Sequence, residues 1–345
     1  MRRLGYLPGV NLVTVVEPLG EAWAAWGNRT RLYRFCANAE YDCCNWLVDA
    51  DSREIFCAAC RHNATIPDLS HETNVALWRK IELAKHRLFY SLLRFHLPLQ
   101  TRNESAVGLA FDFPADGASP NGPMSMTGHE DGRITIMLAE ADDAEREKRR
   151  SAMHEPYRTI LGHFRHEIGH YYWDRLVRDE NVVGACRAIF GDDRIDYPEA
   201  LRIHYEQGAP DNWQESFVSA YATSHPWEDF AETWAHYFHI VDTLEMAHAF
   251  GVGIHPLLDA SDKLESHIDF QPYGAENITR LVDAWLPLTF ALNSINRCMG
   301  QADLYPFILT PAIVEKLGFI HKLIRDAGSE KRSPARADHA ERLSA

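Results

Sequence analysis

The segment His166-Glu167-Ile168-Gly169-His170 constrains this chain more than any other stretch, because its two histidines can serve one metal ion only if the segment is helical. An α-helix turns about 100° per residue, so residues four apart share a face and both imidazoles can reach a single Zn²⁺. Glu167 then borders the open metal position, where it can take a proton from an activated water and pass it to a leaving amine. Three fixed letters are a weak pattern alone, and the competing reading is a surface helix with two histidines by chance. The flanking sequence decides. Ile160, Phe164, Ile168, Tyr172 and Leu176 recur at steps of four and predict a helix from Pro156 to Val177 with one buried side. Gly169 in mid-helix costs about 1 kcal/mol relative to Ala, which points to close backbone approach near the metal.

Catalytic zinc usually takes three protein ligands and keeps one position for water, so a third ligand must come from elsewhere. The best stretch is Tyr221 to His239, where Pro226 marks a helix start and Glu228, Glu232 and His236 share a face at steps of four. One of the two glutamates would ligate the metal and the other would brace a ligand histidine. The alternative is a solvated acidic helix start. His163, His225, His236 and His239 read as hydrogen-bonding residues rather than ligands, and Cys186 as a small buried apolar residue.

The cysteines are not placed like a secreted disulfide framework. Cys36, Cys43, Cys44, Cys57 and Cys60 cluster, while Cys186 and Cys298 stand alone. Cys57 and Cys60 form a CxxC knuckle, and Cys36 with Cys44, or with its neighbour Cys43, would supply the opposite pair. Such a four-thiolate zinc site is closed; it staples a small lobe and hydrolyses nothing. A redox CxxC or ordinary reduced cysteines are the alternatives, and neither explains the clustering.

HEIGH followed downstream by EDFAE resembles the gluzincin metallopeptidases, in which a glutamate on a second helix completes a two-histidine zinc site. The runs HFRHEIGHYYWDRLV and HPWEDFAETWAHY, with the cysteine cluster, more closely resemble a family of bacterial zinc metallopeptidases with an N-terminal zinc ribbon; the likeness runs from about Arg34 to about Arg325. The resemblance implies Glu228 as third ligand, Glu232 as its supporting residue and Cys44 rather than Cys43. It also implies a tyrosine near the metal at Tyr221, whose phenol would donate to the oxyanion, unless it is simply a buried structural tyrosine. Members of that family carry further CxxC knuckles ahead of the segment matching Leu4 to Pro8. Here, either the start is altered or the lobe keeps a single metal.

The implied fold is α+β and predominantly helical: a small zinc-ribbon-like lobe over 1–70, a zincin-like domain over 71–327, and a disordered tail over 328–345. Met1 to about Ser70 reads as short, irregular, knuckle-bearing structure. Helical periodicity follows at Asn74–Leu97, Val182–Phe190, Tyr197–Gln207, Pro226–Phe250, Thr279–Met299 and Pro311–Ala327. Gly108–Phe113 and Arg133–Leu138 read as strands. In zincins an edge strand ahead of the metal helix pairs with extended substrate, which makes Ile134–Leu138 the candidate, against a plain core hairpin.

A formal charge of -14 over 345 residues argues against nucleic acid, and 46% apolar residues suffice for a sizeable core. No apolar run approaches the roughly 20 residues that span a bilayer. Thiolate zinc sites suit a reducing compartment, so the expected location is cytoplasmic. The expected activity is peptide hydrolysis on a peptide or protein substrate, with one catalytic and one structural Zn²⁺. The alternatives are a non-catalytic, zinc-stabilised interaction module and a hydrolase of a non-peptide amide.

Overall fold

The structure, a computed structural model, describes residues 2–115, 127–152, 159–178, 182–257 and 264–330. The expected helix start at Pro156 and residues 331–345 of the expected tail lie outside the described residues. The chain packs as two compact units, Met1–Phe164 and Arg165–Ala345.

The first unit opens with an antiparallel meander of five strands in sequence order, β1 (Arg3–Leu7), β2 (Leu12–Leu19), β3 (Ala22–Ala25), β4 (Asn28–Phe35) and β5 (Leu47–Asp49). This corrects the expectation of irregular structure there. The strands escape a periodicity reading because the sheet buries little on either side: of β2's eight residues only Val16 is fully buried. Left-handed backbone at Asn11, Gly20 and Gly27 makes the turns between strands tight. β6 (Asn63–Thr65) follows the cysteine knuckle, and then α1 (Glu72–Arg94) buries Trp78, Ile81, Leu88, Phe89 and Leu92 along one stripe.

A second sheet has the order β6, β7 (Ala110–Asp112), β9, β8, where β8 is Gly128–Glu130 and β9 is Arg133–Thr135. β9 pairs with β7 in parallel and with β8 antiparallel, so Ile134 lies inside the sheet. Beyond it, Ile136 and Leu138 donate their amides to the carbonyls of Asp112 and Pro114. The expected peptide-binding edge at Ile134–Leu138 is therefore occupied by the chain itself, and among the described residues β8 is the edge strand on that side. The alternating pattern shows that Ile134 and Ile136 are buried but cannot tell an inner strand from an outer one. α2 (Asp143–Ala152) follows.

α3 (Ile160–Tyr172) carries the HExxH segment and runs directly into a π-helical turn, Trp173–Arg178. From Arg165 onward the second unit is helical: α4 (Val183–Phe190), α5 (Tyr197–Gln207), α6 (Pro226–Ala249), α7 (Ile278–Cys298) and α8 (Pro311–Glu330), with a short hairpin of β10 (Gly253–Ile254) and β11 (Ser266–His267). Asp196 and Asn277 cap α5 and α7 by accepting from the amides of Glu199 and Arg280. α8 continues to Glu330, beyond the expected end at Ala327. α6 forms the core, with Phe230, Ala231, Trp234, Phe238 and Val241 fully buried. Tyr172 of α3 stacks on Trp234 at 5.2 Å between ring centroids. At Gly169 the two helices nearly touch: a Cβ there would stand 3.0 Å from Ala231 Cα and 3.2 Å from Trp234 Cβ. The mid-helix glycine thus has the close-approach role its position suggested. Among the described residues no helix is long and apolar enough to cross a membrane. The fold is α+β and predominantly helical.

Candidate metal centres

Close contact of α3 and α6 brings two consecutive turns of one helix against the first turn of the other. His166 Nε2 and His170 Nε2 lie 3.1 Å apart. Glu228 Oε2 stands 3.0 Å from the first and 3.4 Å from the second. All three side chains are buried, and Glu228 Oε2 has no hydrogen-bond donor. Donors held 2.0–2.2 Å from a tetrahedral ion stand about 3.3–3.6 Å from one another, so separations of 3.0–3.4 Å need only a small outward shift to admit a small divalent cation. An orphaned buried carboxylate oxygen facing two imidazole nitrogens fits a cation better than it fits an empty core.

The atoms behind this triangle fix its orientation. Glu232 Oε1 accepts from His166 Nδ1 at 2.7 Å, which leaves the Nε2 lone pair facing inward. Ser219 donates to the other Glu232 oxygen at 2.6 Å, and Tyr197 donates to Glu228 Oε1 at 2.6 Å. Trp227 lies on the His170 ring at 3.8 Å between centroids. Burial alone would lower the His166 pKa, but the Glu228 and Glu232 carboxylates outweigh it and hold it well above the usual imidazole value. Burial likewise opposes ionisation of Glu228, yet the neighbouring imidazoles, His170 foremost, carry its pKa well below the usual range. Positive charge is thus favoured at this point, and a metal ion would supply it in place of protons.

Glu167 is buried beside His166. The Tyr221 ring lies 5.9 Å from that of His166. Burial, then the charge of Glu228, pushes the Tyr221 phenol far up, and the Glu167 charge reaches both Tyr221 and Tyr197. The other histidines are turned elsewhere. His163 Nδ1 faces Glu140 at 3.8 Å, His236 meets the Tyr305 hydroxyl at 2.7 Å, and His225 caps α6 by accepting from the Trp227 amide at 3.0 Å. Arg165 donates to His239 at 3.4 Å. Cys186 is buried, and burial raises its thiol to about 12.

In the first unit, the sulfurs of Cys36, Cys44, Cys57 and Cys60 all lie within 4.8 Å of one another. Cys44 Sγ and Cys57 Sγ are 3.7 Å apart, against about 3.8 Å for thiolates 2.3 Å from a tetrahedral zinc. The amides of Trp46, Cys57 and Cys60 donate to the sulfurs of Cys44, Cys36 and Cys57 at 3.3, 3.3 and 3.4 Å, as suits thiolates. Cys43 stands apart: its Sγ meets the Tyr41 carbonyl at 3.4 Å, and burial pushes its thiol up to about 12.

Sequence reasoning missed five residues around these clusters. Tyr197 and Ser219 come from segments whose approach only the tertiary fold creates. His86 of α1 places Nε2 3.1 Å from Cys44 Sγ, 3.6 Å from Cys60 Sγ and 3.8 Å from Cys57 Sγ, while its Nδ1 meets the Glu82 backbone carbonyl at 2.6 Å. Beside it, Lys85 and Glu82 are fully buried and paired at 2.8 Å. Charged residues at steps of three and four on the apolar stripe of α1 were the available signal.

Residues 74–323 match the family model described as "Putative zinc-binding metallo-peptidase", and residues 1–71 match a zinc-ribbon domain. Uncharacterized proteins of Mycobacterium bovis and Mycobacterium tuberculosis are 42% identical over 299 residues, covering 86% of this chain and 84% of theirs. No solved structure matches the chain.

Proposed function

This chain belongs to the zinc-binding metallo-peptidase family, and from that premise we propose that it hydrolyses peptide bonds at the His166, His170 and Glu228 cluster. The observation that carries the reading is the convergence of two imidazole nitrogens and one donor-free carboxylate oxygen within 3.4 Å of each other. Two histidines and a glutamate form a three-ligand set of the kind catalytic zinc uses, with a fourth position left for solvent. Bound there, zinc supplies Lewis acidity, lowering the pKa of water toward about 7 and polarising a carbonyl.

The protein's own groups do the rest. Glu232, steadied by Ser219, holds the His166 tautomer, and Tyr197 holds Glu228. Glu167 is the general base: it takes the proton of the attacking water and delivers it to the departing amine. Tyr221, kept protonated by its raised pKa, donates to the oxyanion of the tetrahedral intermediate. Cys36, Cys44, Cys57 and Cys60 hold a second, structural zinc, and the substrate is a peptide or protein. None of the seven cysteines is paired in a disulfide, in keeping with a reducing, cytoplasmic setting.

The test is incubation with a diverse peptide library, read by mass spectrometry, with Glu167→Gln as the paired blank. We expect the parent to cleave and the variant to lose a factor of about 10² to 10⁴ while retaining its zinc. Equal cleavage by both proteins would overturn the role of Glu167.

A further inference from the structure

We propose that the β10–β11 hairpin carries a third metal site, built from His255, Glu265 and His267, for a divalent transition ion of the zinc class. No residue is shared with either cluster above, so the inference stands apart from the peptidase reading.

The register sets the geometry. Gly253 pairs with His267 and Ile254 with Ser266; His255 and Glu265 adjoin the strand ends, and continuing that register by one step sets them opposite each other. Side chains alternate along strands, which puts positions 253, 255, 265 and 267 on one face. Three of these corners carry metal-binding groups, and the fourth is a glycine. A Cβ at Gly253 would lie 3.0 Å from His255 Nε2, so the missing side chain leaves room for that ring.

The donors already converge. His255 Nδ1 lies 3.0 Å and His267 Nε2 3.1 Å from the same oxygen, Glu265 Oε1, with the two rings 4.5 Å apart between centroids. All three donor atoms fall within 4.8 Å of one another. Without an ion, Glu265 accepts a hydrogen bond from each imidazole; an ion about 2.0–2.2 Å from each donor replaces both protons. Two imidazoles with one carboxylate suit Zn²⁺, Ni²⁺ or Cu²⁺ and suit Mg²⁺ or Ca²⁺ poorly.

The side chains are 55%, 38% and 62% exposed, so water completes the coordination and the ion exchanges with solvent. A cavity of about 350 Å³ shares Glu265 and His267 and is flanked by Asp269 and Asp283. Arg280, which also lines it, is drawn to Asp269 at 3.3 Å and to the Phe270 ring. The remaining carboxylates favour cations at this mouth.

The test starts from zinc-loaded, gel-filtered full-length protein, dialysed against free Zn²⁺ up to about 100 µM, a ceiling taken for a site with only three protein ligands. Zinc retained after gel filtration gives the baseline for the two buried clusters, and is the same in every hairpin variant whether or not those clusters are as proposed. We expect one exchangeable equivalent above that baseline. It disappears in His255→Ala/His267→Ala and weakens at least about tenfold in Glu265→Gln. Gly253→Val, which keeps all three donors and fills the fourth corner, weakens it too. An unchanged extra equivalent in the double variant, or none in the parent, overturns the proposal.

Discussion

At the scale of the residue, one oxygen poses the chemical problem. Glu228 Oε2 is buried, lacks a donor and faces two nitrogens whose protons would otherwise clash. Its partner oxygen is held by the Tyr197 hydroxyl, which donates to it at 2.6 Å. Partners of this kind typically change metal affinity or activity by about 10- to 100-fold. Tyr197→Phe is therefore expected to weaken zinc binding by that factor with the fold intact, measured by chelator competition. Unchanged affinity would remove Tyr197 from the site. His166, Glu167 and His170 were legible because one helix period relates them. Glu228 was legible only as one of two glutamates until the family resemblance chose between them. Tyr197 and Ser219 were not legible, since no periodicity links a residue of α5 or of a loop to α6.

At the scale of the element, the contact of α3 with α6 decides whether the three donors meet. Gly169→Val places a side chain against the Ala231 backbone, and overpacking of that kind costs typically about 1–3 kcal/mol. We expect a lower melting temperature and weaker zinc retention together; a variant as stable as the parent would contradict the account of Gly169. On α1, His86 reaches the sulfur cluster that the ribbon forms. His86→Ala is expected to let a chelator strip the ribbon zinc faster while zinc at the His166 cluster is released at the parental rate. Equal release of both ions in parent and variant would sink that role. Helices were legible here and strands were not. Long stripes such as that of α1 repeat over many turns, whereas β1 to β5 bury few residues and β9 shows the same alternation whether it lies inside a sheet or at its edge.

At the scale of the whole molecule, each of the two units contains its own buried cluster able to hold a metal, and the chain is a member of a zinc-binding metallopeptidase family with an N-terminal zinc ribbon. Buried imidazoles tie its stability to pH. Burial lowers His236 to about 4 and His239 to about 3. The unfolded chain protonates these groups near 6.5, so between that value and about 3–4 it binds more protons than the folded chain, and stability falls as pH falls through this window. His239→Gln should make the acid loss shallower in thermal melts recorded from pH 7 to pH 4; an identical slope would exclude His239 as a contributor. The central claim is that His166, His170 and Glu228 hold an ion with one position left for solvent. A crystal structure of the zinc-loaded protein, with anomalous maps on either side of the zinc edge, tests it most directly. The account requires a peak bonded to His166 Nε2, His170 Nε2 and Glu228 Oε2 and a solvent atom in the remaining position. A peak elsewhere, or a fourth protein ligand closing the site, would contradict it.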